Sequence, residues 1–257
     1  MKKLTLPALV FASLLMLVSA CKKDDDDNNN NNNQNNPLST ALGGSPEIPT
    51  GAAGALYAVN NYVVSDDGFG GTQVDELGTA YAWFDSYVTT KNAGVVSCNS
   101  SEIENTFAGT TLPWYYSFGS YIDFSSTNTA DWSVEGDAGS GVTGFTHTDN
   151  TPFPKCNFTV PASINRNSSL TITSTNVGSN DAVFYTLYGQ GTPKVTKSMP
   201  ANATSATFTA AEVQSVSSSG SMVGIQVMPV KLTPVTKNGK TYYFVKQWAY
   251  AQFTTAN

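Results

Sequence analysis

From residue 52 onward, apolar and polar positions alternate with a period of two, and no sustained 3.6-residue period develops. This is the pattern of strands with one face buried and one face wet. Leu170 and Ile172 alternate with Thr171 and Thr173, while Val183, Tyr185 and Leu187 share one face and Val223, Ile225 and Val227 share another. Residues 241–253 differ. Tyr243, Val245, Ala249 and Ala251 fall on one side and Tyr242, Phe244, Trp248 and Tyr250 on the other, which predicts a strand covered on both faces for part of its length. Polar turn signals separate the runs at residues 165–167, 178–181, 189–191 and 217–220, and Asn238-Gly239 is a strong hairpin signal because both residues accept positive φ. The stretch Thr209-Ala210-Ala211-Glu212-Val213 breaks the alternation and predicts one helical turn at a corner.

The preceding part is richer in aromatic residues. Its candidate strands are 55–64, 80–88, 94–98, 114–118, 131–135 and 144–148, with Trp132 and Val134 inward and the flanking acids outward. The expected fold class is all-β, as two β-sandwich domains over residues 52–154 and 155–257. The segment Thr151-Pro152-Phe153-Pro154 serves as a stiff link between them, since each proline fixes φ and holds its predecessor extended. About seven short strands within roughly 100 residues make the second domain immunoglobulin-like in pattern. It resembles the immunoglobulin-like or fibronectin-like modules that end many Bacteroidota surface lipoproteins, a similarity that carries no functional residues.

Before residue 52 the chain reads as an address. Met1-Lys2-Lys3 is a short positive segment, residues 4–18 are apolar and uncharged, and small residues precede Cys21. The apolar run is shorter than the roughly 20 residues that a spanning helix requires. Val18-Ser19-Ala20-Cys21 resembles the bacterial lipobox, with valine where leucine is usual. The resemblance implies that residues 1–20 are a lipoprotein signal peptide and that Cys21 is lipidated. Lys22-Lys23 followed by Asp24 to Asp27 resembles the export signal that sends Bacteroidota lipoproteins to the cell surface, and a periplasmic face is the alternative. Residues 21–51, with an asparagine-rich tract from Asn28 to Asn36, are expected to be a tether spanning roughly 30 Å on average.

Composition narrows the partners. Charged residues make up only 12% of the 257-residue chain, and serine, threonine, asparagine and glycine supply the missing polarity. The 13 basic residues fall to 11 once Lys2 and Lys3 are removed, against 19 acidic residues, a balance of −8. With one arginine, Arg166, and scattered lysines, no basic stripe exists to displace counterions from phosphate, which argues against nucleic acid as a partner.

The chemistry-bearing residues are few. His147 is the single histidine, and no Gly-x-Ser-x-Gly elbow accompanies it, so a hydrolytic triad is not expected. The visible acid clusters are Asp66-Asp67, Asp75-Glu76, Glu102 with Glu104, and Asp131 with Glu135 and Asp137. A glycosidase needs two carboxyl groups held roughly 5 to 9.5 Å apart, whereas solvated loop and edge acids are the plainer reading. No metal or cofactor is expected. Cys98 and Cys156 either form a disulfide outside the cytoplasm or remain two separate buried thiols. Trp114, Tyr115 and Tyr116 are the candidate ligand platform, because consecutive strand residues alternate faces and at least one must point outward; filling the core is the competing role. The expected function is a non-enzymatic binding or adhesion lipoprotein held to the membrane through Cys21, with a glycan or an envelope protein as ligand. A carboxylate-dependent glycan hydrolase and an accessory subunit of a surface complex are the alternatives.

Overall fold

The computed structural model describes residues 48–66, 71–85, 90–105, 115–117, 121–124, 126, 128–189 and 194–257. The fold is all-β. In chain order the strands are β1 (Gly54–Asp66), β2 (Thr72–Phe84), β3 (Val96–Cys98), β4 (Ser101–Asn105), β5 (Tyr115–Tyr116), β6 (Ala130–Asp137), β7 (Val142–Asp149), β8 (Asn157–Phe158), β9 (Ser163–Ile164), β10 (Leu170–Thr175), β11 (Ala182–Gly189), β12 (Val195–Pro200) and β13 (Ser205–Phe208). Helix α1 (Ala210–Val216) then precedes two long strands, β14 (Met222–Lys237) and β15 (Lys240–Ala256).

One large sheet runs β12-β11-β14-β15-β1-β2-β5-β4-β3-β6-β7, with β9 pairing the end of β15, and a three-stranded sheet runs β13-β10-β8. The centre is β15. It forms an antiparallel hairpin with β14 through Asn238 and Gly239, whose φ values of 50° and 74° are those the Asn-Gly pair was expected to adopt. On its other edge it pairs in parallel with β1, residues 54–64 lying against 242–252. Strands on either side of the expected 154/155 boundary therefore share one ladder, and their buried side chains belong to one continuous apolar cluster that includes Leu56, Trp132, Tyr185 and Phe244.

Each end of the sheet's first face is covered by different chain. At one end the sheet curls so that β7 returns over β15, with Phe145 4.6 Å from the Tyr242 ring and His147 4.0 Å from Phe244. The tip of the β14–β15 hairpin closes this end, because Asn238 Nδ2 donates to the Gly144 carbonyl and Lys240 Nζ to that of Gly141. These bonds protect the β7 edge from pairing with another chain. At the other end, Phe158, Ile172, Ala206 and Phe208 of the small sheet join the same core, and Ser174 and Tyr185 share a 2.7 Å hydroxyl contact across it.

Helix α1 forms where the sequence breaks its alternation. Thr209 accepts from the Glu212 amide while Glu212 bonds back to the Thr209 N–H, a reciprocal cap that satisfies two otherwise free donors. Val213 and Val216 are its buried side chains.

The link at residues 151–154 crosses β15 at Lys246. This ammonium is 1% exposed and donates to the carbonyls of Asn128 at 2.7 Å, Asp149 at 2.9 Å and Thr151 at 2.5 Å, with the Asp149 carboxylate 3.7 Å away. Burial pushes Lys246 below the ordinary lysine value, and Asp149 opposes that shift. All three ammonium protons have carbonyl acceptors, and Phe153 of the link lies over the same group at 5.0 Å. The junction is thus fixed by a fully satisfied buried cation.

Candidate binding surface

The outer face of the curled end carries a shallow concavity of about 390 Å³, lined by Ser97, Ser100, Asp131, Ser133, Thr146, Thr148 and Lys237, with Trp132 and His147 contributing from the inward-facing register. Its construction follows from the alternation. In β6, Ala130, Trp132 and Val134 are buried, so Asp131 and Ser133 face out; in β7, Thr146 and Thr148 do the same. Antiparallel pairing of β6 with β7 sets Asp131 opposite Thr148 and Ser133 opposite Thr146, and β3 adds Ser97 opposite Ser133 on the other side. The result is a row of hydroxyls with one carboxylate, and Lys237 reaches it from the end of β14.

Ser100 enters through a strained turn. Asn99 and Ser100 join β3 to β4 with φ values of 46° and 64°, a left-handed pair that glycine would occupy more easily. Asn99 holds the turn in place. Its backbone N–H donates to the Asp131 carbonyl at 2.8 Å, its Oδ1 accepts from the Asp131 N–H at 2.7 Å, and its Nδ2 reaches the carbonyls of Asp123 and Thr129 at 3.2 Å each. The hydroxyl of Ser100 is therefore carried on a braced edge of the concavity.

His147 lies beneath this surface. Its ring packs on Phe244, and its buried Nε2 has no hydrogen-bond partner among the described residues. Burial, followed by the nearby Lys237 charge, pushes its pKa below the usual histidine value, so the neutral imidazole is favoured. Among the described residues, no hydrogen bond joins it to a carboxylate or a nucleophile.

The residues singled out from sequence are dispersed. Cys21 and Trp114 lie outside the described residues. Tyr115 is 1% exposed and does not form a platform: its hydroxyl donates to Asn92 Oδ1 at 2.9 Å and accepts from the Ala93 N–H at 2.8 Å, which ties the loop before β3 to the core. Tyr116 is half-buried on the opposite face and stacks beside Tyr81 at 6.5 Å. The alternation is obeyed, with Tyr115 turned into the core and the half-buried Tyr116 on the opposite face.

Cys98 and Cys156 are both free and buried. Cys98 sits on β3 opposite Trp132, and Cys156 has its sulfur 4.0 Å from the Val227 carbonyl oxygen. Burial pushes both thiols up, Cys156 to about 12, which suppresses thiolate chemistry.

The acid clusters serve local structure. Glu76 accepts from Asn60 Nδ2 at 2.8 Å, Asp75 from Gln73 Nε2 at 2.9 Å, Glu135 from the Val95 N–H at 2.9 Å, and Asp137 from Asn92 Nδ2 at 2.6 Å and the Gly139 N–H at 2.7 Å. Glu102 and Glu104 flank buried Ile103 and both face solvent, while Asp67 lies outside the described residues. No group of three or more histidine, cysteine or acidic side chains with metal-binding geometry occurs among the described residues.

Sequence reasoning missed Ser97, Ser100, Ser133, Thr146, Thr148 and Lys237. Their outward phase was legible in Asp131-Trp132-Ser133-Val134-Glu135 and Thr146-His147-Thr148, but their adjacency depends on strand register, which a single sequence does not specify. No protein-family model matches the chain, and a search of curated proteins finds no match.

Proposed function

We propose that this chain is a lipid-anchored outer-membrane lipoprotein, displayed at the cell surface through Cys21, whose β body is a non-catalytic binding module for a glycan or another envelope protein. The observation that carries the binding role is the hydroxyl-lined concavity on β3, β6 and β7. Its size falls within the roughly 300–1,000 Å³ of ligand pockets, and its serine and threonine groups, each both donor and acceptor, match the hydroxyls of a sugar. Asp131 adds an acceptor for two hydroxyls at once, and Lys237 adds a donor.

The anchoring half of the reading rests on the lipobox-like residues 18–21 and the lysine-then-aspartate run that follows them. Two acyl chains or more on Cys21 make attachment stable, since one chain binds only marginally. The architectural half is that the body consists of two sandwich-like lobes with an immunoglobulin-like second lobe. The facing of β13-β10-β8 against β12-β11-β14 and the end of β15 supports it.

Two measurements test the function. Mass analysis of the chain purified from membranes is expected to find the first residue at Cys21 carrying acyl chains, and surface proteolysis of intact cells is expected to remove the body. A glycan array is expected to give binding that Asp131→Asn and a Ser133→Ala/Thr146→Ala double variant reduce at least tenfold, without loss of fold. Recovery of an unmodified chain beginning at Met1 overturns the anchoring. Loss of neither glycan nor envelope-protein binding in these variants removes the concavity as the site.

A further inference from the structure

The concavity on β3, β6 and β7 is lined by one carboxylate and one ammonium, those of Asp131 and Lys237. Elsewhere the lysines are held in place. Lys91 pairs with Asp85 at 3.2 Å, Lys197 with Glu212 at 3.0 Å and Lys231 with Asp181 at 3.1 Å. Lys246 is enclosed by carbonyls, Lys155 lies over the Trp248 ring at 4.8 Å, and Lys240 donates to the Gly141 carbonyl. Lys237 makes no ion pair, hydrogen bond or ring contact through its side chain among the described residues, and neither does the Asp131 carboxylate. Two opposite charges thus share one lining without meeting. The hydroxyls around them, on Ser97, Ser100, Ser133, Thr146 and Thr148, are equally without a partner among the described residues. By contrast, the Thr171–Thr207 and Thr186–Thr196 hydroxyls bond to each other across their strands at 2.9 and 3.0 Å.

Both charges stand on fixed backbone. Asn99 bonds to the N–H and the carbonyl of Asp131 at 2.7 and 2.8 Å. Lys237 precedes Asn238, whose side-chain amide donates to the Gly144 carbonyl of β7. Asp131 is on β6, while Lys237 is on β14, which pairs with neither β6 nor β7. A ligand that meets both must therefore hold its own charges apart, by about a strand spacing of 5 Å or more. Stripping water from an ion costs free energy unless an opposite charge or a strong hydrogen bond replaces it. A neutral sugar lying here leaves both charges uncompensated, and a ligand of one sign compensates only one of them. A ligand with an ammonium and an acidic group compensates both. Trp132, the indole in the lining, is 3% exposed and offers no stacking surface, so the polar groups decide selectivity.

We propose that the concavity selects a zwitterionic saccharide unit, one with a free ammonium and an acidic group on opposite sides of its ring. The ammonium pairs with Asp131 and the acidic group with Lys237, while the hydroxyls of Ser133, Thr146 and Thr148 hold the ring hydroxyls between them. This selectivity rests on the glycan reading of the concavity and deepens it, since a row of hydroxyls alone would accept neutral sugars equally.

Calorimetric titration of the full chain with a matched set of sugars tests the selectivity. Glucosamine 6-phosphate carries both charges, glucosamine only the ammonium, glucose 6-phosphate only the acid, and glucose neither. Glucosamine 6-phosphate is expected to bind at least about tenfold more tightly than each of the other three. Asp131→Asn is expected to erase its preference over glucose 6-phosphate, and Lys237→Gln its preference over glucosamine. The urea midpoint is expected to stay unchanged in both variants, because neither side chain has a partner among the described residues. Equal binding of all four sugars overturns the proposal and leaves the glycan reading standing. A preference that survives both substitutions also overturns it, by placing the ligand's charges elsewhere. The hydroxyl-free zwitterion 6-aminohexanoic acid is expected to bind at least about tenfold more weakly than glucosamine 6-phosphate; equal binding overturns the saccharide class. Binding of none of the sugars overturns the proposal together with the glycan reading, so the two failures are distinguishable.

Discussion

Lys246 and Gln247 are adjacent on β15 and point to opposite faces of the same sheet, both at or near zero exposure. Lys246 is closed in by three carbonyls and a carboxylate, supplied by Asn128, Asp149 and Thr151. Gln247 has one filled acceptor and one donor without a partner among the described residues. On the first face, the chain that crosses the sheet supplies an acceptor for every proton of the Lys246 ammonium. On the second face, the buried Gln247 amide donor is left unmatched by the described residues. A buried polar side chain therefore reports on its cover, and two neighbours on one strand can report on two covers.

The sharpest test of the contrast is Lys246→Met. It removes the cation from a buried pair, leaving three carbonyls without their donor and the Asp149 carboxylate without its counter-charge, so a loss of about 3–5 kcal/mol is expected in urea unfolding. A loss under about 1 kcal/mol would mean that water reaches the junction. Next comes Gly78→Ala, also on the first face. A Cβ there would sit 1.8 Å from the Ile122 carbonyl oxygen, where the segment with Ile122 and Phe124 crosses β2, and the expected cost is about 3 kcal/mol by the same measurement.

On the second face, Gln247→Met is expected to cost only about 1 kcal/mol, the worth of one ordinary hydrogen bond. A gain in stability would instead show that the amide donor has no partner at all. The smallest effect concerns pH. His147 has its pKa lowered, mainly by burial, so the unfolded chain takes up a proton first as pH falls below about 6.5. Its contribution is present above that value and is lost as pH drops through the lower folded value. The urea midpoint should therefore decline between pH 7 and 5, and His147→Gln should flatten part of that decline.

Local features of the fold were legible because local chemistry sets them. The 131–135 alternation, the Asn238-Gly239 hairpin and the helical turn after Thr209 all form where the residues demand it. The double-sided pattern of residues 241–253 also announced a strand buried on both faces, as β15 is. Strand partners were not legible. Nothing in residues 54–64 says that they run parallel to 242–252, since alternation describes a face and not a neighbour. The same gap explains Tyr115: its strand was recognised, but whether its side faced core or solvent depended on what the sheet packs against. The weak polar signals of Ser97, Ser133, Thr146 and Thr148 became a surface only through register.

The parallel pairing of β1 with β15 also governs timing. A polypeptide synthesised amino end first delivers β1 and β2 long before β15, yet β15 is the strand on which β1, β14 and β9 all depend. Until that last strand emerges, β1 has one unfilled edge and the body has no middle. Such long-range closure is intrinsically slow. The arrangement postpones locking of the sheet until β15 is available to fill its centre.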